Sequence, residues 1–149
     1  MTETIAQRTA AGEPAEGPSL YERLGGIFGI AAVMDVLTDR LFDNVSANQN
    51  PYVAKMHERN GRPGFKFMVT AWSVEETGGP RCYPGRDMHH AHVDMEMSEH
   101  DYDVVALEIA ATLSYCGVGV REQKEYMAIV ERIRREIIDA PANERAKVL

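Results

Sequence analysis

Four of the five histidines, His89, His90, His92 and His100, fall within twelve residues of one another. Three chemistries use imidazoles placed this way. Haem takes one neutral ring nitrogen, aimed at iron from the wall of an apolar slot. Zinc takes three or four ligands; His89 and His92 share a helical face, and the remainder would have to come from His57, a carboxylate or a thiol. The third possibility is that the rings are solvated or cap a helix end and bind nothing. Spacing alone leaves all three open.

The cluster sits just before a long amphipathic segment, so the elements that hold it come next. Ser19 and Glu22, three apart, predict a capping box on a short helix that Gly25-Gly26 ends. From Ile27 to about Phe42, Ile30, Val33, Met34, Leu37 and Leu41 recur at three- and four-residue steps and predict a helix with one buried face. Residues 43–64 hold Asn, Ser, Gln, Gly and two prolines with few apolar anchors, and predict a loop with at most one helical turn. Pro63 is placed to open the next helix, where Phe65, Met68, Val69 and Trp72 fall at helical steps before Gly78-Gly79-Pro80 stops it.

Residues 81–97 lack the periodicity for a long helix. Ser98, with Asp101 three residues on, reads as the N-cap of a helix whose stripe of Tyr102, Val105, Ile109, Leu113 and Cys116 ends at Gly117. A last helix runs from about Arg121 to Ile138, with Tyr126, Ile129, Val130, Ile133 and Ile137 inward, and Pro141 beyond it. No segment alternates as a strand, so the expected class is all-α, helix packed on helix.

A length of 149 residues with 44% hydrophobic and 26% charged content fits one folded domain. Residues 1–18 carry almost no large apolar side chains and are expected to form a tail, as are residues 139–149, leaving 19–138 as the domain. Sixteen basic against 23 acidic residues give a formal charge of −7, which repels phosphate backbones and anionic lipid, so neither nucleic acid nor membrane is an expected partner. No export signal or spanning stretch is visible, and the expected location is cytoplasmic. Cys82 and Cys116 lie in no C-x-x-C pattern and read as free thiols.

Four short patterns in order narrow the choice: Ser19-Leu-Tyr-Glu-Arg-Leu-Gly-Gly26, Gly78-Gly79-Pro80, Tyr83-Pro-Gly-Arg-Asp-Met88 and Ala91-His92. In order and interval the chain resembles the group I truncated haemoglobins from about Ser19 to Ile138. The resemblance implies a shortened globin, a two-over-two helical sandwich around haem b. It also implies that His92 is the axial ligand to the iron, with His89 and His90 beside it facing solvent or the haem propionates. Tyr83, Arg86 and Met88 would then lie near the haem, and Phe65, Val69, Trp72, Val105 and Ile109 would wall the pocket.

The sequence departs from the family on the distal side. Where a Phe-Tyr pair commonly supplies a hydroxyl to the gas ligand, this chain has Leu37 and Thr38, and the supporting Gln position falls at Val69 or Thr70. His57 precedes that helix at a distance that leaves its place open. Oxygen is therefore expected to leave faster than from a typical member, with carbon monoxide little affected, and a tyrosine introduced at Thr38 is expected to slow release.

The resemblance implies a reversible binder of oxygen, carbon monoxide or nitric oxide that acts in storage, transfer or sensing. Two other classes stand beside it. One is a haem enzyme acting on nitric oxide or peroxide with a separate reductase, since the chain carries no flavin or nicotinamide motif. The other is a helical interaction module that has lost the cofactor.

Overall fold

A computed structural model of the chain describes residues 17–138. The two expected tails lie outside these residues except for Gly17 and Pro18, as does Pro141. Among the described residues there are six α-helices and no strand: α1 (Leu20–Arg23), α2 (Gly26–Phe42), α3 (Pro51–Glu76), α4 (Met88–His92), α5 (Glu99–Tyr115) and α6 (Val120–Ile138). Single turns of 3₁₀ helix sit at Ala47–Gln49 and Val93–Met95.

Helix α2 packs along α3 and α5 packs along α6, while α2 also meets α5. This is two helix pairs laid over one another. The buried seam is built from Ile30, Met34, Leu37 and Leu41 of α2, Val74 of α3, Leu113 of α5, and Tyr126, Val130, Ile133 and Ile137 of α6. The apolar stripes read from sequence are thus the inward faces.

Local chemistry sets the ends. Ser19 Oγ accepts from the Glu22 amide at 3.2 Å and the Glu22 carboxylate accepts from the Ser19 amide at 3.3 Å, closing the expected capping box. Ser98 and Asp101 form a second box at the start of α5, with both bonds at 3.0 Å. After α3 the chain reverses at Gly78, φ +99°, and Gly79, where a Cβ would meet the Tyr21 ring and the Val74 carbonyl oxygen at 2.7 Å. Any larger residue at Gly79 would pry α1 from the end of α3, which are joined by the Tyr21 amide donating to the Thr77 carbonyl at 2.8 Å.

Residues 43–64 depart from the expected loop. Asn50 caps a helix, its Oδ1 accepting from the Tyr52 amide at 2.9 Å, and Pro51 occupies the first turn. Helix continues to Gly61, whose φ of +67° and ψ of 162° break it before Pro63 restarts the second limb. Few apolar anchors were visible in 51–60 because only Val53 there is fully buried. Two further residues of this limb, Met56 and His57, turn toward a cavity instead of a neighbouring helix.

Candidate functional site

Between the helix pairs lies a cavity of about 490 Å³, within the roughly 300–1,000 Å³ of cofactor-sized pockets. Its walls are mostly apolar. Leu37 and Leu41 come from α2; Val53, Met56, Phe65, Met68, Val69 and Trp72 from α3; Val105 and Ile109 from α5; and Val130, Ile133 and Ile137 from α6. Phe65, Val69, Val105 and Ile109 are only half-buried although they lie on the inward faces of their helices. The space they face is not filled by other side chains.

His92 enters this cavity from the last residue of α4. The helix is short because Asp87 caps it, its carboxylate accepting from the His90 amide at 3.0 Å, and the backbone turns to 3₁₀ after His92. His92 Nδ1 lies 2.8 Å from the Met88 carbonyl oxygen. A carbonyl can only accept, so Nδ1 carries the proton and Nε2 keeps its lone pair. Burial holds the imidazole below its ordinary pKa, partly offset by the bond to Met88, with Arg86 adding to the depression. A neutral ring with a directed lone pair is what an axial iron ligand requires.

The other histidines of the cluster are engaged elsewhere. His90 is exposed, its Nδ1 2.7 Å from the Asp87 carboxylate, and His89 Nδ1 lies 3.2 Å from the Glu136 carbonyl oxygen. His100 is exposed. Among the described residues no three His, Cys, Asp or Glu side chains converge on a metal position, so the zinc alternative has no ligand set. Cys82 and Cys116 are free thiols.

Of the residues singled out from the sequence, His92, Phe65, Val69, Trp72, Tyr83, Arg86, Met88, Val105, Ile109 and Leu37 all line the one cavity. Thr38 does not. It is buried, and its hydroxyl donates to the Met34 carbonyl at 2.6 Å within its own helix. Thr70 also lies off the lining, its hydroxyl buried without a partner. Tyr83 donates to the Arg86 carbonyl at 2.7 Å and closes the turn at the cavity edge; Gly85 sits so tightly beneath it that a Cβ would meet the Tyr83 hydroxyl at 2.4 Å and Met68 Cε at 2.5 Å.

His57 was unplaced by sequence reasoning and is a lining residue. Its ring stacks on Phe42 with centroids 4.1 Å apart and planes at 16°, and its Nδ1 is 2.8 Å from Asn48 Oδ1. Tyr102 and Tyr126 were read as core residues of the last two helices, and both also reach the cavity. Their hydroxyls are occupied: Tyr102 donates to the Val130 carbonyl at 2.5 Å, and Tyr126 pairs with Ser73 Oγ at 2.9 Å. Burial pushes both phenols up to about 12.

The chain was compared with known proteins. The family model for bacterial-like globin matches residues 19–139. Group 1 truncated hemoglobin of Tetrahymena thermophila is 26% identical over 126 residues, covering 81% of this chain and 95% of that protein. A group 1 truncated hemoglobin of Chlamydomonas moewusii is 24% identical over 131 residues, covering 87% and 73%. Among solved structures, truncated hemoglobin from Tetrahymena pyriformis in its Fe(III) form superposes with a TM-score of 0.69 at 22% identity, covering 81% of this chain and 98% of that one. The 2/2 hemoglobin from Synechococcus sp. PCC 7002, in the cyanomet state with covalently attached heme, gives 0.70 at 21%, covering 82% and 99%.

These likenesses establish the two-over-two globin fold, and the family's cofactor is haem with its iron. The residues fit that group: an apolar space of cofactor size is left unfilled, and one imidazole nitrogen on its wall is neutral and unpaired. The chain belongs to the bacterial-like globin family.

Proposed function

We propose that this haem protein reversibly binds a diatomic gas, oxygen first, with residues 19–138 as the globin unit and His92 as the axial ligand. The observation that carries the reading is the His92 tautomer: Nδ1–H tied to the Met88 carbonyl leaves Nε2 for iron in a mostly apolar cavity. Haem bound there supplies an iron with a coordination position for the gas. Everything else is work for the chain. The bond to Met88 orients the ring, and the walls from Leu37, Phe65, Val69, Trp72, Val105 and Ile109 exclude water. Tyr83, Arg86 and Met88 bound the edge, where the Arg86 guanidinium is the charge available to a propionate.

The distal side offers little to hold a polarised ligand. Leu37 and Val69 have no donor, and the Thr38 hydroxyl is spent on Met34. A hydrogen bond to a charged group contributes about 1.5–3 kcal/mol, roughly ten- to a hundred-fold in retention. Without it, oxygen leaves faster than from a tyrosine-bearing relative, and carbon monoxide is little affected.

Absorption spectra of the purified full-length protein in ferric, ferrous and carbonyl forms test the proposal. The expected result is a Soret band that shifts on adding carbon monoxide, and that falls several-fold relative to protein absorbance in His92→Ala. A protein that stays colourless when haem is supplied would overturn it in favour of an interaction module.

A further inference from the structure

The outer face of α5 carries almost no charge. From Val104 to Tyr115 the one ionic side chain is Glu108, in a chain of which 26% is charged. Helix α6 shows the usual pattern instead, its buried stripe balanced by exposed Lys124, Glu131, Arg132 and Arg135. On α5 the side away from buried Tyr102, Thr112 and Leu113 presents Leu107, 71% exposed, then Ala111, then Tyr115, 73% exposed, at steps of four. A helix that is apolar on every side is ordinarily buried on every side.

The same surface continues onto α2. The Arg40 guanidinium pairs with Glu108 and lies 5.4 Å from the centre of the Tyr115 ring, and the Asn44 amide donates to Glu108 at 2.9 Å. These contacts set the two helices edge to edge. Back along α2 from Arg40, Val36, Ala32 and Phe28 follow at steps of four; Phe28 is 86% exposed, and no residue from Gly26 to Met34 is charged. Arg40 and Glu108 neutralise each other, and the acids on the far edge of α2, Asp35 and Asp39, are paired with Lys66 and Arg62. The face is therefore neutral, although the chain carries −7.

Two aromatics at about 150–250 Å² each, with the aliphatic side chains beside them, put on the order of 600 Å² of apolar surface on this face. That is the top of the range for the largest patch of a monomer. Paired with its own copy it would bury roughly 1,200 Å², the lower bound of stable interfaces. Charge selects among the possible occupants. The cation on the face is engaged by Glu108, so nothing there attracts anionic lipid or reads a charged partner, and α5 is not long and apolar enough to cross a membrane. A second copy brings the same neutral, apolar surface and meets no repulsion at the contact despite the net charge of each chain.

We propose that the outer faces of α5 and α2 form a twofold interface between two copies of this chain. Leu107 and Tyr115 of α5 and Phe28 of α2 are its apolar anchors, and Ala32 and Ala111 let the helices of the two copies approach. The interface needs no haem, so its failure would leave the reading of the cavity untouched.

Sedimentation velocity of the full-length protein as purified, over a dilution series, tests the proposal, with helicity read by circular dichroism on the same samples. Wild type is expected to be a dimer at about 100 µM chain, as suits an interface at the small end of the stable range. Leu107→Glu and Phe28→Glu each place a carboxylate in the contact. Each is expected to weaken association about tenfold per copy, hence about a hundredfold for the symmetric pair, with helicity unchanged. Leu107→Ala trims an exposed side chain and adds no charge, and should weaken the dimer by a smaller factor. Ala128→Glu adds the same charge on the outer face of α6 and should leave it intact. A wild type that stays monomeric overturns the proposal, as does one that floats with phosphatidylcholine vesicles instead of self-associating. So does a dimer that persists unchanged in the three variants at Leu107 and Phe28, or one that Ala128→Glu dissociates equally.

Discussion

The two imidazole-bearing walls are built on opposite principles. On the α4 wall, His92 is held by the carbonyl of Met88, four residues back in the same helix, so the anchor is made by the helix that carries the ring. On the α3 wall, His57 is held by Asn48, which is itself held by two carbonyls of the α2 end, so three segments must assemble before the ring is oriented. The first arrangement tolerates change around it. The second is only as firm as the turn between α2 and α3.

Asn50 joins the walls, and removing it is the harshest way to break the comparison. Its Oδ1 caps α3, while Nδ2 donates to the Met95 carbonyl behind α4 at 2.9 Å and to Asp101 of α5 at 3.0 Å. Asn50→Ala loses a cap, about 1 kcal/mol, and leaves a carbonyl and a carboxylate short of a donor, about 1–3 kcal/mol more. We expect a loss of roughly 2–4 kcal/mol in urea titration of the apoprotein. A change under 0.5 kcal/mol would mean that the two walls are not linked through this side chain.

Asp101 probes the same junction with a smaller effect. Burial works to raise its pKa, but hydrogen bonds from the Ser98 amide and hydroxyl and from Asn50 outweigh it and hold the carboxyl below its ordinary value. A carboxyl depressed in the folded state adds stability that is fully present above its unfolded pKa, near 4. That stability is lost as pH falls through the folded value. Asp101→Ala should cost about 1 kcal/mol at neutral pH and less near pH 3, read as converging urea midpoints with wild type. Parallel midpoints across that range would show that the carboxylate is not anchored at α5.

The smallest expected effect is none. Thr38→Val removes a hydroxyl already spent on the Met34 carbonyl, so the oxygen off-rate by stopped flow should remain within about twofold of wild type. A clear acceleration would give that hydroxyl a role toward the gas, and would return the distal donor to α2.

Much of this was legible because it is local. The capping boxes at Ser19 and Ser98, the glycine stop after α3 and the apolar stripes of α2, α5 and α6 are set by residues three and four apart, which is the reach of a helical turn. His92 was legible through motif order, and ten of the eleven residues named for the pocket do line it. Thr38 was placed there by the resemblance, at the position where the family commonly has its distal tyrosine, one residue beyond Leu37. A step of about 100° turns it from the cavity into the core.

The helix over 51–60 was missed because a helix facing an open cavity needs fewer buried anchors than one facing another helix, so its pattern was too sparse to read. His57 went unplaced for a related reason: its partners Phe42 and Asn48 lie fifteen and nine residues away, and no spacing rule connects them.

By itself the sequence determined the helical class, the ends of most helices and the family resemblance, all of which depend on neighbouring residues or on an ordered series of short patterns. Only the tertiary structure decided that the inward faces stop short of one another and leave a cavity, that Thr38 turns away from it, and that a second imidazole joins the first on its wall. Those outcomes depend on how distant segments pack, and packing is a property of the whole set of contacts, which no single stretch of chain contains.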